Sequence, residues 1–383
     1  MMDMELFHLI RSSITGEKIA DKELESLSSE QIHHLFELSR HHDVDHLFAF
    51  GAKQNGVMFE MENMIEKRIL LAVYRHERIK YDFENLCHAL EKAQIPFIPL
   101  KGAVLRDYYP EAWMRTSCDI DVLVREEDFQ KAMMLLVNEH EYTYQEQSGH
   151  DISMRSPYGG TVELHYNLIE DGRVHQSSEV LTALWDDVVT REGFSYWYEM
   201  TDAMFYFYHV AHMAKHILEG GCGIRPYIDL WILDHIQEAD CEGRDRLLKQ
   251  GNLLKFANVA RKLSRVWFED EMHDEASRQM EDYVLRGGVY GSDENGTMVR
   301  QQKSGGKFCY ALSKIFLPYD VIKFHYPILQ KRRWLMPIMQ VRRWCKLIFG
   351  GHLKRVTRNL KYSGSITEAE SADTQNFLNN MGL

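Results

Sequence analysis

A chain of 383 residues with 45% hydrophobic and 27% charged side chains has the composition of an ordinary globular protein, with material for two or three cores. Its formal net charge of −12 speaks against a general nucleic-acid binder, and no run of about eighteen apolar residues predicts a membrane span. Six scattered cysteines without a Cys-x-x-Cys pair indicate neither a disulfide framework nor a zinc knuckle, and the start Met1-Met2-Asp3-Met4-Glu5 lacks a secretory signal's basic and apolar stretches, so a cytoplasmic location is expected.

Residues 1 to about 90 read as an N-terminal helical region. Leu6, Ile10 and Ile14 fall near helical spacing, and the stretch from Glu60 to Lys92 carries Leu and Ile three and four apart. Within it, His41-His42-Asp43-Val44-Asp45-His46 contains the His-Asp pair found at the centre of metal phosphohydrolases. That rival reading lacks the distant histidine and aspartate such an enzyme needs.

A mixed segment follows. Ile95 to Leu100 predicts a strand, Lys101-Gly102 a turn into a helix from Ala103, and Cys118 to Val124 a second strand. In a strand the side chains at i and i+2 share a face, so Asp119 and Asp121 stand side by side while Ile120, Val122 and Val124 face a core. Adjacent carboxylates repel unless a cation sits between them. Gly102 offers a backbone without Cβ that a phosphate can approach. A helix is predicted over 126–139, then strand-like pieces at 142–146, 151–155 and 161–167, with Ser156-Pro157-Tyr158-Gly159-Gly160 as the hairpin turn between the last two. The final piece puts Glu163 and His165 on one face, and Glu163 supplies a third carboxylate.

Taken together, Leu100-Lys101-Gly102, Arg115 with Asp119-x-Asp121, and Glu163-Leu164-His165 resemble the polymerase-β-type nucleotidyltransferase superfamily, and more closely its bacterial family of uncharacterised nucleotidyltransferases. The resemblance runs from about Leu86 through Gly287-Gly288-Val289-Tyr290-Gly291. It implies an α+β fold, a small mixed β-sheet core (residues 91–195) flanked by N-terminal and C-terminal helical regions. It also implies Mg²⁺ or Mn²⁺ on the catalytic carboxylates Asp119, Asp121 and Glu163, with Lys101, Gly102, Arg115 and His165 holding nucleotide phosphates. The superfamily usually follows its glycine with a hydroxyl or a second glycine; here Ala103 stands there, and Lys101 is expected to supply the phosphate contact as a point charge.

From Thr201 the pattern is helical, opening a domain expected over 196–362. His209, His212 and His216 recur at i, i+3 and i+7 and so share a face, without the His-Glu-x-x-His pattern of a zinc site. The resemblance places such a helix at the cleft, with His212, Lys215 and His216 reaching phosphate and Arg225 and Asp229 following it. Between Lys331 and Lys361 stand ten Lys or Arg and no Asp or Glu, interleaved with Trp334, Ile338, Val341 and Trp344. The favoured expectation is an aromatic face packed on the protein's own helical domain; the other is weak contact with a membrane surface. Residues 363–383 are expected to be a disordered tail.

The reaction expected from this set is metal-dependent transfer of a nucleoside monophosphate from a nucleoside triphosphate to a hydroxyl acceptor (a small molecule, sugar, RNA end or protein), with release of pyrophosphate. The alternative is an inactive nucleotide-binding or interaction module that keeps the fold.

Overall fold

Apolar alternation and turn chemistry between residues 95 and 165 build one mixed sheet, seen in a computed structural model that describes residues 4–20, 24, 27–57, 62–168, 175–289, 291–319, 322–323, 326, 328–349 and 353–383. Its strands are β1 (Phe97–Pro99), β2 (Asp119–Val124), β3 (Thr143–Gln147), β4 (Asp151–Arg155) and β5 (Thr161–His165). Their spatial order is β1-β2-β5-β4-β3. Only β2 and β5 run parallel; β1 lies antiparallel to β2, and β5, β4 and β3 form an antiparallel meander. Helices flank this sheet, so the fold is α+β, as the residue pattern predicts.

The expected turn closes β4 onto β5. Gly159 takes φ +90°, where a side chain is disfavoured, and the Ser156 amide donates to the Gly160 carbonyl at 2.8 Å. A Cβ on Gly160 would collide with the carboxylate of Asp82, which accepts from Ser156 Oγ at 2.7 Å. Asp82 belongs to the long helix α1 (Glu62–Lys92), so the hairpin is pinned to a helix that also supplies Ile79, Leu86 and Leu90 to the sheet's core. Ile120, Val122 and Val124 face that core, while Leu123, Ile98 and Leu100 face the other way, into a larger helical core. Asp119 and Asp121 share the face of Leu123, at the end of β2 where the helical layer leaves a cleft.

That larger core unites the two helical regions. Phe7, near the N-terminus, stacks on Trp267 with ring centroids 4.4 Å apart. Residues from α2 (Asp202–Glu219), α3 (Arg225–Asp234) and α4 (Leu254–Glu269) complete it. Thr201 caps α2 by accepting from the Met204 amide, and Pro226 stands in the first turn of α3, where no amide donor is needed.

One expectation for the C-terminal part is corrected. Residues 363–383 are not a disordered tail: Glu368–Met381 form a helix with a Thr367/Glu370 capping box and Gly382 in the left-handed conformation after it. The polar run Thr367-Glu368-Ala369-Glu370 is a helix-start signature. Phe377 stacks on Tyr283 at 4.5 Å, and Phe377, Leu378 and Met381 are buried. The basic segment packs one side on a neighbouring helix of the C-terminal region. Its helix α5 (Met336–Phe349) packs on the end of α6 (Lys307–Ile315), where Trp344 Nε1 donates to the Ile315 carbonyl at 2.7 Å, and on a small cluster of Ile322, Leu329 and Met339. Ile338, Val341 and Ile348 point to solvent. No helix among the described residues is long and apolar enough to cross a membrane.

Candidate active site

The parallel pairing of β2 with β5 creates the site, because its register sets Asp119 beside Thr161, Asp121 beside Glu163 and Leu123 beside His165. Two carboxylates that are distant in sequence thus become cross-strand neighbours. Lys101 Nζ donates to Asp121 Oδ1 at 3.2 Å, and His165 Nε2 lies 3.0 Å from the same oxygen and 3.7 Å from Glu163 Oε2. Ligand atoms of Asp121, Glu163 and His165 lie within 4.8 Å of one another. Asp119 stands outside this trio, two residues before Asp121 on the same strand face.

The electrostatics are those of crowded, buried carboxylates. Burial and then the charges of Asp121 and Asp119 push the Glu163 carboxyl up to about 8. Burial and Asp121 also raise the Asp119 carboxyl, against Lys101 and Arg225. Burial opposes ionisation of Asp121 too, but Lys101 and the hydrogen bond from His165 outweigh it and hold that carboxyl well below its ordinary range. Burial would lower the Lys101 ammonium, yet Asp121 and the other carboxylates raise it, so it stays protonated. Lys101 is therefore the resident cation of an acidic cluster.

Lys101 reaches this place through an uncommon backbone conformation, φ +44° and ψ −118°. Such a position in a residue with a Cβ costs on the order of 1–3 kcal/mol and persists only where the surroundings enforce it. The Gly102 that follows lies against the Ser117 side chain, where a Cβ would sit 3.2 Å from the Ser117 Cβ. The helix it opens spans only Gly102–Leu105, too short for its dipole to make an anion site.

Arg115, expected among the phosphate-binding residues, is tied into a buried ion pair. Its guanidinium grips Asp229 at 2.6 and 2.8 Å and the Thr116 carbonyl at 2.7 Å, and Tyr109 also donates to Asp229, at 2.7 Å. Both charges are buried, so this pair is a strut tying the loop before β2 to α3. Arg225 likewise holds the Thr116 carbonyl at 2.6 Å, and Asp43 at 3.5 Å.

On α2, His212 and Lys215 line the same cleft as Lys101, Glu163 and His165. His216 sits one turn behind, with Nε2 3.1 Å from His212 Nε2. Recessed in the cleft wall and facing the charges of Lys101, His216 and Lys215, His212 is held neutral. His209 turns away to the Pro226 carbonyl at 3.0 Å. The His-Asp pair of the rival reading is absorbed in packing. His42 is driven down to about 4, first by burial and then by His41, and contacts the Leu285 carbonyl; His46 meets the Met114 carbonyl at 2.8 Å, and Asp45 pairs with Arg68.

A family model described as "uncharacterised nucleotidyltransferase" matches residues 28–269. The chain belongs to that family. No curated protein and no solved structure matches it. The match begins nearer the N-terminus than the recognisable motifs and ends before Gly287, so this nucleotidyltransferase carries all its cleft residues inside the family's span and its basic C-terminal helices outside it.

Sequence reasoning missed several residues lining the cleft, among them His150, Asp151, Ser177, Ser178 and Tyr208. For Asp151 a signal was present. Closing the predicted hairpin over Ser156–Gly160 sets Asp151 opposite His165, as the structure has it. Tyr208 lies on the cleft helix between His209 and the aromatic run before it, where periodicity does not separate core from cleft.

Proposed function

We propose that this nucleotidyltransferase transfers a nucleoside monophosphate from a nucleoside triphosphate to a hydroxyl acceptor, using a divalent metal on Asp119, Asp121 and Glu163. The observation that carries the reading is the register of β2 with β5, which gathers three carboxylates on one face, where burial and the charges of Asp121 and Asp119 raise Glu163 to about 8. An all-oxygen donor set of this charge suits Mg²⁺ or Mn²⁺. Bound there, the metal would neutralise the triphosphate and activate the attacking hydroxyl.

The chain's own groups supply the rest. Lys101 stands one hydrogen bond from Asp121 and can exchange that partner for a phosphate oxygen, while Lys215 adds charge from the opposite wall. Neutral His212 can donate to a phosphate oxygen without competing for the carboxylates. His165 holds the Asp121 carboxylate in place. The acceptor oxygen forms a bond to the α-phosphorus, the bond to the α–β bridging oxygen breaks, and pyrophosphate departs; the acceptor's proton passes to Glu163 or to solvent. We infer also that the family belongs with the polymerase-β-type superfamily, from the Asp-x-Asp strand and the third carboxylate on its parallel partner.

The test is incubation of the purified protein with each α-labelled nucleoside triphosphate, Mg²⁺ or Mn²⁺ and a cell extract, beside Asp121→Asn. Label moving to an acceptor only with the wild type supports the reading. Absence of metal-dependent nucleotide binding, read by thermal shift, overturns it in favour of an inactive module.

A further inference from the structure

The β4–β5 hairpin assembles a second group of ligands beside the three carboxylates. His150, Asp151 and His165 each offer an atom within 4.8 Å of the other two, and the imidazoles of His150 and His165 lie 5.9 Å apart at 31°. His150 Nε2 stands 3.7 Å from Asp151 Oδ2. Two ligands at the ~2.0–2.1 Å zinc distance in a tetrahedron are separated by roughly 3.3 Å, so small side-chain adjustments suffice. Ser148 steadies the pair: its hydroxyl donates to Asp151 Oδ1 and lies 3.1 Å from His150 Nδ1. His150 Nε2 and Asp151 Oδ2, the atoms that Ser148 does not hold, are the ones a cation would use.

The independent observation is the state of the third ligand. His165 is buried, and its two ring nitrogens are unequally served. Nε2 meets Asp121, a carboxylate that already accepts from the Lys101 ammonium, so the His165–Asp121 bond requires the proton on Nε2. Nδ1, which is a lone pair whenever the ring carries a single proton, has no hydrogen-bond partner despite being sealed from solvent. Buried acceptors left in this state are uncommon and call for an explanation. A carboxylate holding one nitrogen of an imidazole while the other nitrogen binds a metal is the usual support of a metal-ligating histidine.

We propose that His165 Nδ1, His150 and Asp151 form a second cation site, for a zinc-class transition ion, distinct from the oxygen-only set of Asp119, Asp121 and Glu163. Imidazole ligands favour such ions, whereas carboxylates alone favour Mg²⁺. His165 joins the two sites, since the ion on Nδ1 and Asp121 on Nε2 act on one ring.

The experiment uses full-length protein stripped with a chelator and then held in excess Mg²⁺, titrated with Co²⁺ and read by visible ligand-field absorption, with Zn²⁺ stoichiometry from equilibrium dialysis. The expected result is one equivalent per chain with nitrogen-ligated Co²⁺ bands, and loss of about 10- to 100-fold in affinity for His150→Ala and for Asp151→Asn. Each variant is first shown to melt cooperatively. No binding by the wild type in Mg²⁺, or binding unchanged in a folded His150→Ala, overturns the proposal; the second outcome would put the ion on Asp121, Glu163 and His165. Because the readout is metal occupancy, this result is independent of whether nucleotidyl transfer is found.

A separate observation concerns the region outside the family match. On α5, Ile338, Val341 and Ile348 are 55, 52 and 57% exposed and recur along one stripe, with Trp334 72% exposed just before the helix. Arg342 and Lys346, both exposed, flank the stripe on one side, while Met339 and Gln340 take the packed side. An apolar stripe edged by cations, in a 31-residue stretch with ten basic and no acidic residues, complements a surface that is greasy below and anionic above. We infer that α5 lies on anionic lipid, in the plane of the interface. Flotation of the full-length protein with phosphatidylglycerol-containing vesicles is the test, with pure phosphatidylcholine for comparison. Binding to the anionic vesicles alone, lost in Val341→Asp and weakened by salt, is expected. No flotation overturns the inference, as does self-association in solution abolished by Val341→Asp, which would make the stripe a contact between copies.

Discussion

The cleft and the basic C-terminal helices break the same rule in opposite directions. In the cleft, carboxylates, an ammonium and an imidazole are withdrawn from water, whereas three aliphatic side chains on α5 and a tryptophan just before it are pushed into it. Buried charge also occurs away from the cleft: Arg115, Asp229 and Tyr109 are buried, but they satisfy one another. Burial of charge is therefore not itself a mark of function. What separates the cleft from the Arg115–Asp229 strut is the crowding of like charges on Glu163 and a His165 Nδ1 that has no hydrogen-bond partner.

That contrast is sharpest in two substitutions. Asp121→Asn removes the charge that Lys101 and His165 converge on, and the proposed transfer should fall on the order of 10³-fold or more, about 4 kcal/mol of lost transition-state stabilisation. Its fold should survive, because two partners lose one acceptor at a half-open cleft. Arg115→Ala should do the reverse, stranding Asp229 in the core and costing roughly 3–5 kcal/mol in a urea-unfolding experiment. Were Arg115→Ala to unfold no more readily than the wild type while losing nucleotide affinity, the strut assignment would be wrong and the phosphate clamp restored.

These assignments show how far residue patterns carry. Asp119-x-Asp121 and Glu163 were legible because strand period fixes which side chains share a face, and the hairpin turn fixes where β5 begins. Arg115 was not, since nothing local reveals that Asp229, more than a hundred residues on, will meet its guanidinium. Lys101 was seen as a charge at a strand end, but its positive φ and its bond to Asp121 are tertiary facts. The C-terminal helix was hidden by polarity: only three apolar residues in its last two turns, Phe377, Leu378 and Met381, anchor it.

The crowded carboxylates of the cleft also set a pH dependence. Glu163, raised to about 8, is protonated in the folded metal-free protein where an unfolded carboxyl is ionised, so the folded state binds the extra proton. Its contribution to stability is complete below the ordinary carboxylate range and is lost as pH rises through about 8. Asp121 works in the other direction: its carboxyl is depressed, so its contribution is present above the ordinary range and fades only in strong acid. Below the ordinary histidine range the buried neutral imidazoles, His42 and His212 among them, work against Glu163, so it is between about pH 7 and 8 that the melting temperature of chelated protein should decline. Excess Mg²⁺ should flatten the decline, because the ion takes the proton's place, and Mg²⁺ affinity measured by calorimetry should rise with pH and release a proton. Glu163→Gln should abolish both the slope and the proton release. A slope that survives this substitution would assign the titration elsewhere and weaken the view of the cleft as a site of crowded carboxylates.

The smallest effect probes the other end of the comparison, where order rests on capping and a few apolar anchors. The Thr367 hydroxyl accepts from the Glu370 amide, and Glu370 returns a bond to the Thr367 amide at 2.7 Å. Thr367→Ala should cost about 1 kcal/mol. Because Phe377 of that helix stacks on Tyr283 of the main core, the loss should appear in the global unfolding transition and leave the vesicle binding of α5 unchanged. If amide exchange instead shows the last helix opening alone, with the rest of the molecule unaffected, then Phe377 and its neighbours are a weak latch. The C-terminal helices would then be an appendage to the nucleotidyltransferase rather than part of its cooperative core.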